Sequence, residues 1–269
     1  MLITCITLIA LIAFIAIARI SGSGKNQQGT SFHKTDSSEH PSQIKQFTVA
    51  SFNIQGGKDL SGDRNIMRSA QVLENADLVG IQEVYAPGYL NKLGLGKSQT
   101  ELMAQHGKFD WLFCATRTRW FREFRGNAVL SKLKVINWKV EMLPNEVGKN
   151  FRNMVVVELS WQGQRFHFIN THLHTRQGKQ AQFDVVFEEF LKYPRAILVG
   201  DFNSRYSEEH IQRALQNEAV TDAIGDLNLD PNESNRIDWI LTKGFKIHDG
   251  KVLEKGISDH PYYQISMSL

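Results

Sequence analysis

Only two cysteines occur among the 269 residues, Cys5 and Cys114. Cys5 falls in an apolar leader, so the folded part holds one thiol. Neither an intradomain disulfide nor a cysteine-based zinc cluster can form there. That fits a reducing compartment without excluding an oxidising one. A dominant charge is also lacking: 31 Lys and Arg stand against 28 Asp and Glu, a net charge of +3. Whole-chain charge therefore gives no argument for a nucleic-acid partner. Internal repeats are absent. With 42% hydrophobic residues, bulk disorder is excluded, and the length accommodates one large α/β domain.

Long apolar runs are scarce except at the start. Met1 to Ala18 carries no charge and is built mainly of Leu, Ile, Ala and Phe, and Arg19 ends the run. Such a stretch is at the short end of what spans a bilayer. Ala16-Ile17-Ala18 also reads as an export cleavage site. No Lys or Arg precedes the run, whereas Arg19 and Lys25 follow it, which by the positive-inside rule places the following domain in the cytoplasm. Residues 1–20 are thus expected to be a transmembrane anchor or a signal sequence. The protein is then membrane-associated, or periplasmic or secreted if the leader is cleaved. Residues 21–46, rich in Ser, Gly, Gln, His and Lys, read as a flexible polar linker that packs against nothing. The folded domain is expected over 47–269.

Within that domain short apolar runs alternate with helical stretches. Strands are expected at 47–54, 78–82, 111–115, 128–130, 154–159, 166–170, 196–199, 237–241 and 262–267. Helices are expected at 63–75, 98–106, 177–191 and 208–216. In the third, Phe183, Val186, Phe187 and Phe190 form one stripe. Many strands with interspersed helices predict an α/β fold of two sheets packed face to face with helices outside.

Polar residues recur where the apolar strands end: Asn53, Glu83, His172, Asp201 with Asn203, Asp238, and Asp259 with His260. Singly, each has an ordinary reading. Asp201-Phe202-Asn203-Ser204 can be an Asx turn or a helix cap, and a Glu ending a strand is usually a solvated rim residue. Jointly they form a pattern, because strand ends on one edge of a sheet converge on one cleft. Glu, Asp and Asn make an oxygen-rich donor set that suits Mg²⁺ or Mn²⁺ rather than zinc. Two imidazoles beside such an ion can act as acid, base and phosphate contact.

The segments 51–54, 81–84, 126–131, 170–173, 200–204, 236–240 and 258–261, in that order, resemble the motifs of the endonuclease/exonuclease/phosphatase superfamily. The superfamily takes in deoxyribonucleases, abasic-site endonucleases, sphingomyelinases and inositol phosphatases. The resemblance spans nearly all of 47–269 and leaves no core motif unmatched. It implies a four-layered α/β/β/α sandwich of two packed mixed sheets and a metal-dependent phosphoester hydrolase, here of a bacterial, membrane-tethered or exported type. It implies Glu83 as the main metal ligand, with Asn53 beside it and Asp259 helping. By the same resemblance Asp201 orients or deprotonates the attacking water, Asn203 binds phosphate and His172 contacts a phosphate oxygen. Asp238 then fixes the tautomer of His260, the acid–base group, and Asn127 lies near the substrate. Mg²⁺, with Mn²⁺ as substitute, is the implied cofactor.

Fold does not decide substrate. The stretch 116–125 carries Arg117, Arg119, Arg122 and Arg125 against Glu123, interleaved with Trp120, Phe121 and Phe124. Read as a loop, it can hold a nucleic-acid backbone and stack bases, meet anionic lipid headgroups, or be plain solvated surface. A monomer acting on nucleic acid or on an anionic lipid headgroup, with the membrane contacted through the N-terminal segment, is the expectation. The competing class is a non-catalytic binding module on the same scaffold, which the completeness of the polar set disfavours.

Overall fold

Several strands of this chain carry apolar residues at both parities, which only a strand covered on both faces can hide. In the computed structural model, residues 9–14, 21–35, 45–88, 97–119, 122–145, 148, 150–230 and 233–269 are described. Two short strands, β1 (Ser21–Ser23) and β2 (Gln27–Gly29), precede β3 (Phe47–Asn53), helix α1 (Ile66–Leu73), β4 (Leu78–Ala86) and α2 (Gln99–Gly107). Next come β5 (Asp110–Arg119), β6 (Phe124–Ser131), β7 (Lys134–Met142), β8 (Asn153–Trp161) and β9 (Gln164–His172). Helix α3 (Lys179–Leu191), β10 (Ala196–Asp201), α4 (Glu209–Leu215), β11 (Thr221–Asp222) and α5 (Ala223–Asp226) follow. The chain closes with β12 (Asp238–Lys243), β13 (Lys246–Leu253) and β14 (Tyr262–Ser268).

The strands form two seven-stranded sheets, ordered β1-β5-β6-β4-β3-β14-β13 and β11-β12-β10-β9-β8-β7-β2. Their inner faces meet in a core that includes Val49, Leu78, Val129, Val157, Phe168, Val199 and Ile265. The opposite parity of the same strands faces helices. Phe52, Val79 and Ile81 pack with Leu73 and Met103 on one side. Val156, Ile169 and Leu198 pack with Phe183, Phe190 and Ile211 on the other. The four layers are those expected, α/β/β/α. Each sheet contains one β-α-β crossover with parallel strands, β3-α1-β4 in the first and β9-α3-β10 in the second. Ligand clefts of open α/β sheets lie beyond the carboxyl ends of such strands.

The sheets are also joined by a polar side chain. Asn170, on β9, is fully buried. Its Nδ2 donates to Ala128 O at 2.9 Å and Ile81 O at 3.2 Å, and its Oδ1 accepts from Gln82 Nε2 at 2.7 Å. All three partners belong to the opposite sheet. In an apolar interface such bonds are demanding, since any partner left unmet costs desolvation without return.

Three expectations are corrected. The segment 21–35 is not a free linker. β1 pairs with β5, β2 pairs with β7, His33 bridges Trp111, and Phe32 is buried in the inter-sheet core. Polar composition misled here because an edge strand needs only backbone groups to pair. At Gly24, a Cβ would sit 1.8 Å from Ala115 O, so the close approach requires glycine. The stretch 116–125 is not a loop but the end of the β5–β6 hairpin, with Trp120 and Phe121 outside the described residues. Finally β7 and β13 were not foreseen. β13 is an edge strand with alternate residues exposed and β7 is only partly buried, and the weak apolar signal of such strands reads as loop.

Of the leader, residues 9–14 are helical with Ile9, Leu11, Ile12 and Phe14 exposed. The remainder, including the Ala16-Ile17-Ala18 site, lies outside the described residues, as do 36–44. Among the described residues no helix is long and apolar enough to cross a membrane.

Two measurements follow from this packing. A chain beginning at Lys45 loses β1, β2 and the buried Phe32, whose burial is worth about 2–3 kcal/mol. Its thermal midpoint should fall by roughly 5–10 °C relative to a chain beginning at Ser21, and equal midpoints would show that the N-terminal strands do not contribute. Asn170→Leu should cost about 2–4 kcal/mol, because buried carbonyls lose their donor. An unchanged urea midpoint would refute the bridging role.

Candidate active site

The parallel strands end on chemistry. β3 ends at Asn53, β9 at His172 and β10 at Asp201. In register, Asp201 lies opposite His172 on one side and Asp238, the first residue of β12, on the other. The backbone is adapted to this crowding. Gly200 sits at φ 145, and a Cβ there would meet Thr171 O at 1.9 Å, so no other residue fits before Asp201.

Asp201 Oδ2 is the meeting point. Asn53 Nδ2, from the opposite sheet, donates to it at 3.0 Å. His172 Nε2 lies 3.3 Å away and His260 Nε2 3.7 Å away. The second oxygen, Oδ1, accepts from Asn203 N at 2.9 Å. His260 Nδ1 pairs with Asp238 Oδ2 at 2.8 Å, and Asn53 Nδ2 is 3.4 Å from His260 Nε2. Ser258 Oγ donates to Asn53 O at 2.7 Å, tying the last motif to the first, and lies 3.2 Å from Asp259 Oδ1.

The two imidazoles sit in opposite fields. Burial pushes His172 well below the usual histidine range, and Arg152, His260 and His174 add to that. His172 is therefore neutral. Its Nδ1 faces Arg152 Nη1 at 3.2 Å and must accept, which leaves the ring proton on Nε2 toward Asp201. Burial also works against charge on His260, but its bond to Asp238 and the charges of Asp238, Asp201 and Asp259 outweigh it and push its pKa up to about 9. Asp201 is raised by burial and then by Asp238.

Glu83 is placed by a distortion. The β4–β6 register shifts between Ile81 and Val84, and Glu83 takes φ 57, in the left-handed region. A non-glycine residue held there stores roughly 1–3 kcal/mol, and a bulge re-aims the side chain it carries. Glu83 lines a cavity of about 170 Å³ with Asn127, Arg117, Arg125, Arg152 and His172 among its walls. A second cavity, of about 580 Å³, is lined by Asp238, Asp259, His260, Arg236 and Tyr263, among others.

Asn53, His172, Asp201, Asn203, Asp238 and His260 are brought together, with Glu83 in the same cavity wall as His172. Asn127 lies within β6, buried, its Nδ2 donating to Asn153 Oδ1 at 2.9 Å, and it reaches the cavity wall. Of the hairpin arginines, Arg117 and Arg125 line that cavity, and Arg119 and Arg122 are not among its lining residues. Among the described residues, the acidic and imidazole donors close enough to share one ion are Asp201, Asp238 and His260, within 4.8 Å of one another. This differs from the expected trio of Glu83, Asn53 and Asp259. Arg152 was missed. It precedes β8 in a stretch without periodicity, and its contact is with His172 on the neighbouring strand.

The sequence profile of the Endonuclease/Exonuclease/phosphatase family matches residues 50–260. No curated protein matches the chain. Among solved structures, an endonuclease/exonuclease/phosphatase from Beutenbergia cavernae DSM 12333 superposes with TM-score 0.68 at 20% identity, covering 84% of this chain and 72% of that one. A mannosyl-6-phosphatase of Bacteroides thetaiotaomicron VPI-5482 gives 0.64 at 19%, covering 83% and 100%. D. rerio TDP2, complexed with single strand DNA product, gives 0.61 at 16%, covering 84% and 100%. Members of this family hydrolyse phosphoester bonds, typically with a divalent metal. With the profile spanning most of the folded residues and the strand-end groups gathered in one cleft, the chain belongs to the Endonuclease/Exonuclease/phosphatase family.

Proposed function

We propose that the protein is a divalent-cation-dependent hydrolase of a phosphodiester, in which water attacks phosphorus assisted by two histidines of opposite charge state. The observation that carries this reading is the Asp201 hub, with neutral His172 on one side and the charged His260–Asp238 pair on the other. Burial and the neighbouring Asp238 make Asp201 more basic than an ordinary carboxylate, which suits it to take a proton from the attacking water. His172 presents an N–H to a phosphoryl oxygen. His260, oriented by Asp238, holds a proton to give to the leaving oxygen. Asn203 donates one amide hydrogen to Leu173 O at 3.0 Å and keeps the other for phosphate. Arg152, between His172 and the charges of Glu83 and Asp201, opposes the negative charge that builds in the transition state.

The residues fit a hard cation. Glu83, Asn53 and Asp259 offer oxygen donors of the kind that hold such an ion. We assign Mg²⁺, with Mn²⁺ as substitute, to Glu83, Asn53 and Asp259. Asp238 and His260 are already engaged with each other at 2.8 Å, so the Asp201–Asp238–His260 trio is assigned to proton transfer. Bound there, the ion would neutralise charge on the phosphoryl oxygens. A phosphatase acting on a sugar phosphate and an enzyme holding a DNA product share this fold, which supports phosphoester chemistry and leaves substrate class to the cavity walls.

The test is turnover of a bis-aryl phosphodiester, DNA, RNA, sphingomyelin and phosphoinositides by the full chain. EDTA should abolish it and Mg²⁺ or Mn²⁺ restore it. Glu83→Ala, Asp201→Ala and His260→Ala should each lose at least ~100-fold in rate. Metal-independent turnover, or a fully active His260→Ala, would refute the assignment. If Asp238 acts through His260, removing both should cost little more than removing His260 alone. Additive losses in that double-mutant cycle would instead give Asp238 a separate role.

A further inference from the structure

The arginine hairpin is fastened to the chain that leaves the leader. Ser21 lies opposite Arg119 and Ser23 opposite Arg117. Arg117 Nη2 donates to Ser21 Oγ at 3.2 Å, and Gly24 N donates to Thr116 O at 2.8 Å. In the sequence the uncharged run ends at Ala18, three residues before Ser21. The same run exposes Ile9, Leu11, Ile12 and Phe14 by 53–66%, an apolar cluster that water disfavours.

The hairpin itself concentrates positive charge. Arg122 and Arg125 are exposed, and Glu123 is the one acidic residue between Thr116 and Arg125. Burial, then Arg125 and Arg122, lowers the pKa of Arg117, and Arg119 is lowered by burial and by Arg117, Arg125 and Arg122. The four guanidinium groups therefore disfavour one another and gain from an external anion. The sequence puts Trp120 and Phe121 between Arg119 and Arg122, and aromatics of this kind are favoured at the headgroup level.

We propose that the hairpin over 117–125 docks on an anionic lipid surface into which the segment 1–18 inserts, and that docking sets the catalytic cleft against headgroup phosphoesters. The docking follows from the β1–β5 pairing and the charge of the hairpin. Only its consequence, that the substrate is a phosphoester of the bilayer, rests on the hydrolase reading above. Arg117 and Arg125 link the two, since they belong to the hairpin and also line the cavity with Glu83 and His172.

The experiment is co-sedimentation of the full chain with vesicles of phosphatidylcholine alone, or of phosphatidylcholine with phosphatidylserine. Binding should be tighter to the anionic vesicles. Each arginine near such a surface contributes about fivefold in partitioning. Arg119→Ala with Arg122→Ala should then cut the anionic-over-neutral ratio by roughly 25-fold, and Arg122→Ala alone, at an exposed position, by about fivefold. Salt at about 0.5 M should remove the preference. Leu11→Asn with Ile12→Asn should weaken binding to both vesicles and leave the ratio in place. Equal binding to the two vesicles, or an anionic-over-neutral ratio left unchanged by loss of both arginines, would overturn the docking. Displacement from anionic vesicles by an equimolar single-stranded oligonucleotide would assign the hairpin to nucleic acid instead. No turnover is read, so an error in the hydrolase assignment leaves this result standing.

Discussion

A carboxylate taken out of water must be met by donors or positive charge, and the fold around Asp201 is arranged to do so. Its side chain is almost wholly buried. One donor, Asn53, comes from the first sheet. The others, the Asn203 backbone and the neighbouring imidazoles, come from the second sheet and from the turn before β14. The two sheets therefore have to meet in one register for the charge to be tolerated. Asn170 imposes the same register from within the interface. Site geometry and sheet packing are thus a single constraint: a slip of one sheet over the other would strand Asp201 and Asn170 together.

The same burial sorts the histidines. His172 and His260 are both close to Asp201, yet one is held neutral and the other charged. The difference is the second partner. Arg152 faces His172 and penalises a second positive charge, while Asp238 faces His260 and rewards it. Two identical side chains obtain complementary proton-handling properties from one arginine and one aspartate, neither of which needs to touch the reacting group.

Legibility in the sequence followed covalent and periodic regularity. The strands that end at Asn53, His172 and Asp201 are buried on both faces, so their apolar runs are long and their polar termini stand out. Asp238 and His260 were readable for the same reason, lying next to strands with apolar cores. Arg152 was not, because its importance comes from a contact with His172 across the sheet, and no local pattern encodes that. The bulge at Glu83 was equally hidden: Gln82-Glu83-Val84 continues an ordinary strand, and only the register shift against β6 turns the carboxylate into the cavity. The segment 21–35 failed in a different way. Its composition is that of a linker, and its order comes from backbone groups pairing with strands far downstream.

That last feature bears on how the chain is made. β1 and β2 are synthesised well before their partners on β5 and β7, and the strap cannot close until the chain has passed Met142. Until then both sheets present a bare edge, the kind of template on which nascent chains aggregate. A segment made before either sheet would then seal both of them at the end of folding.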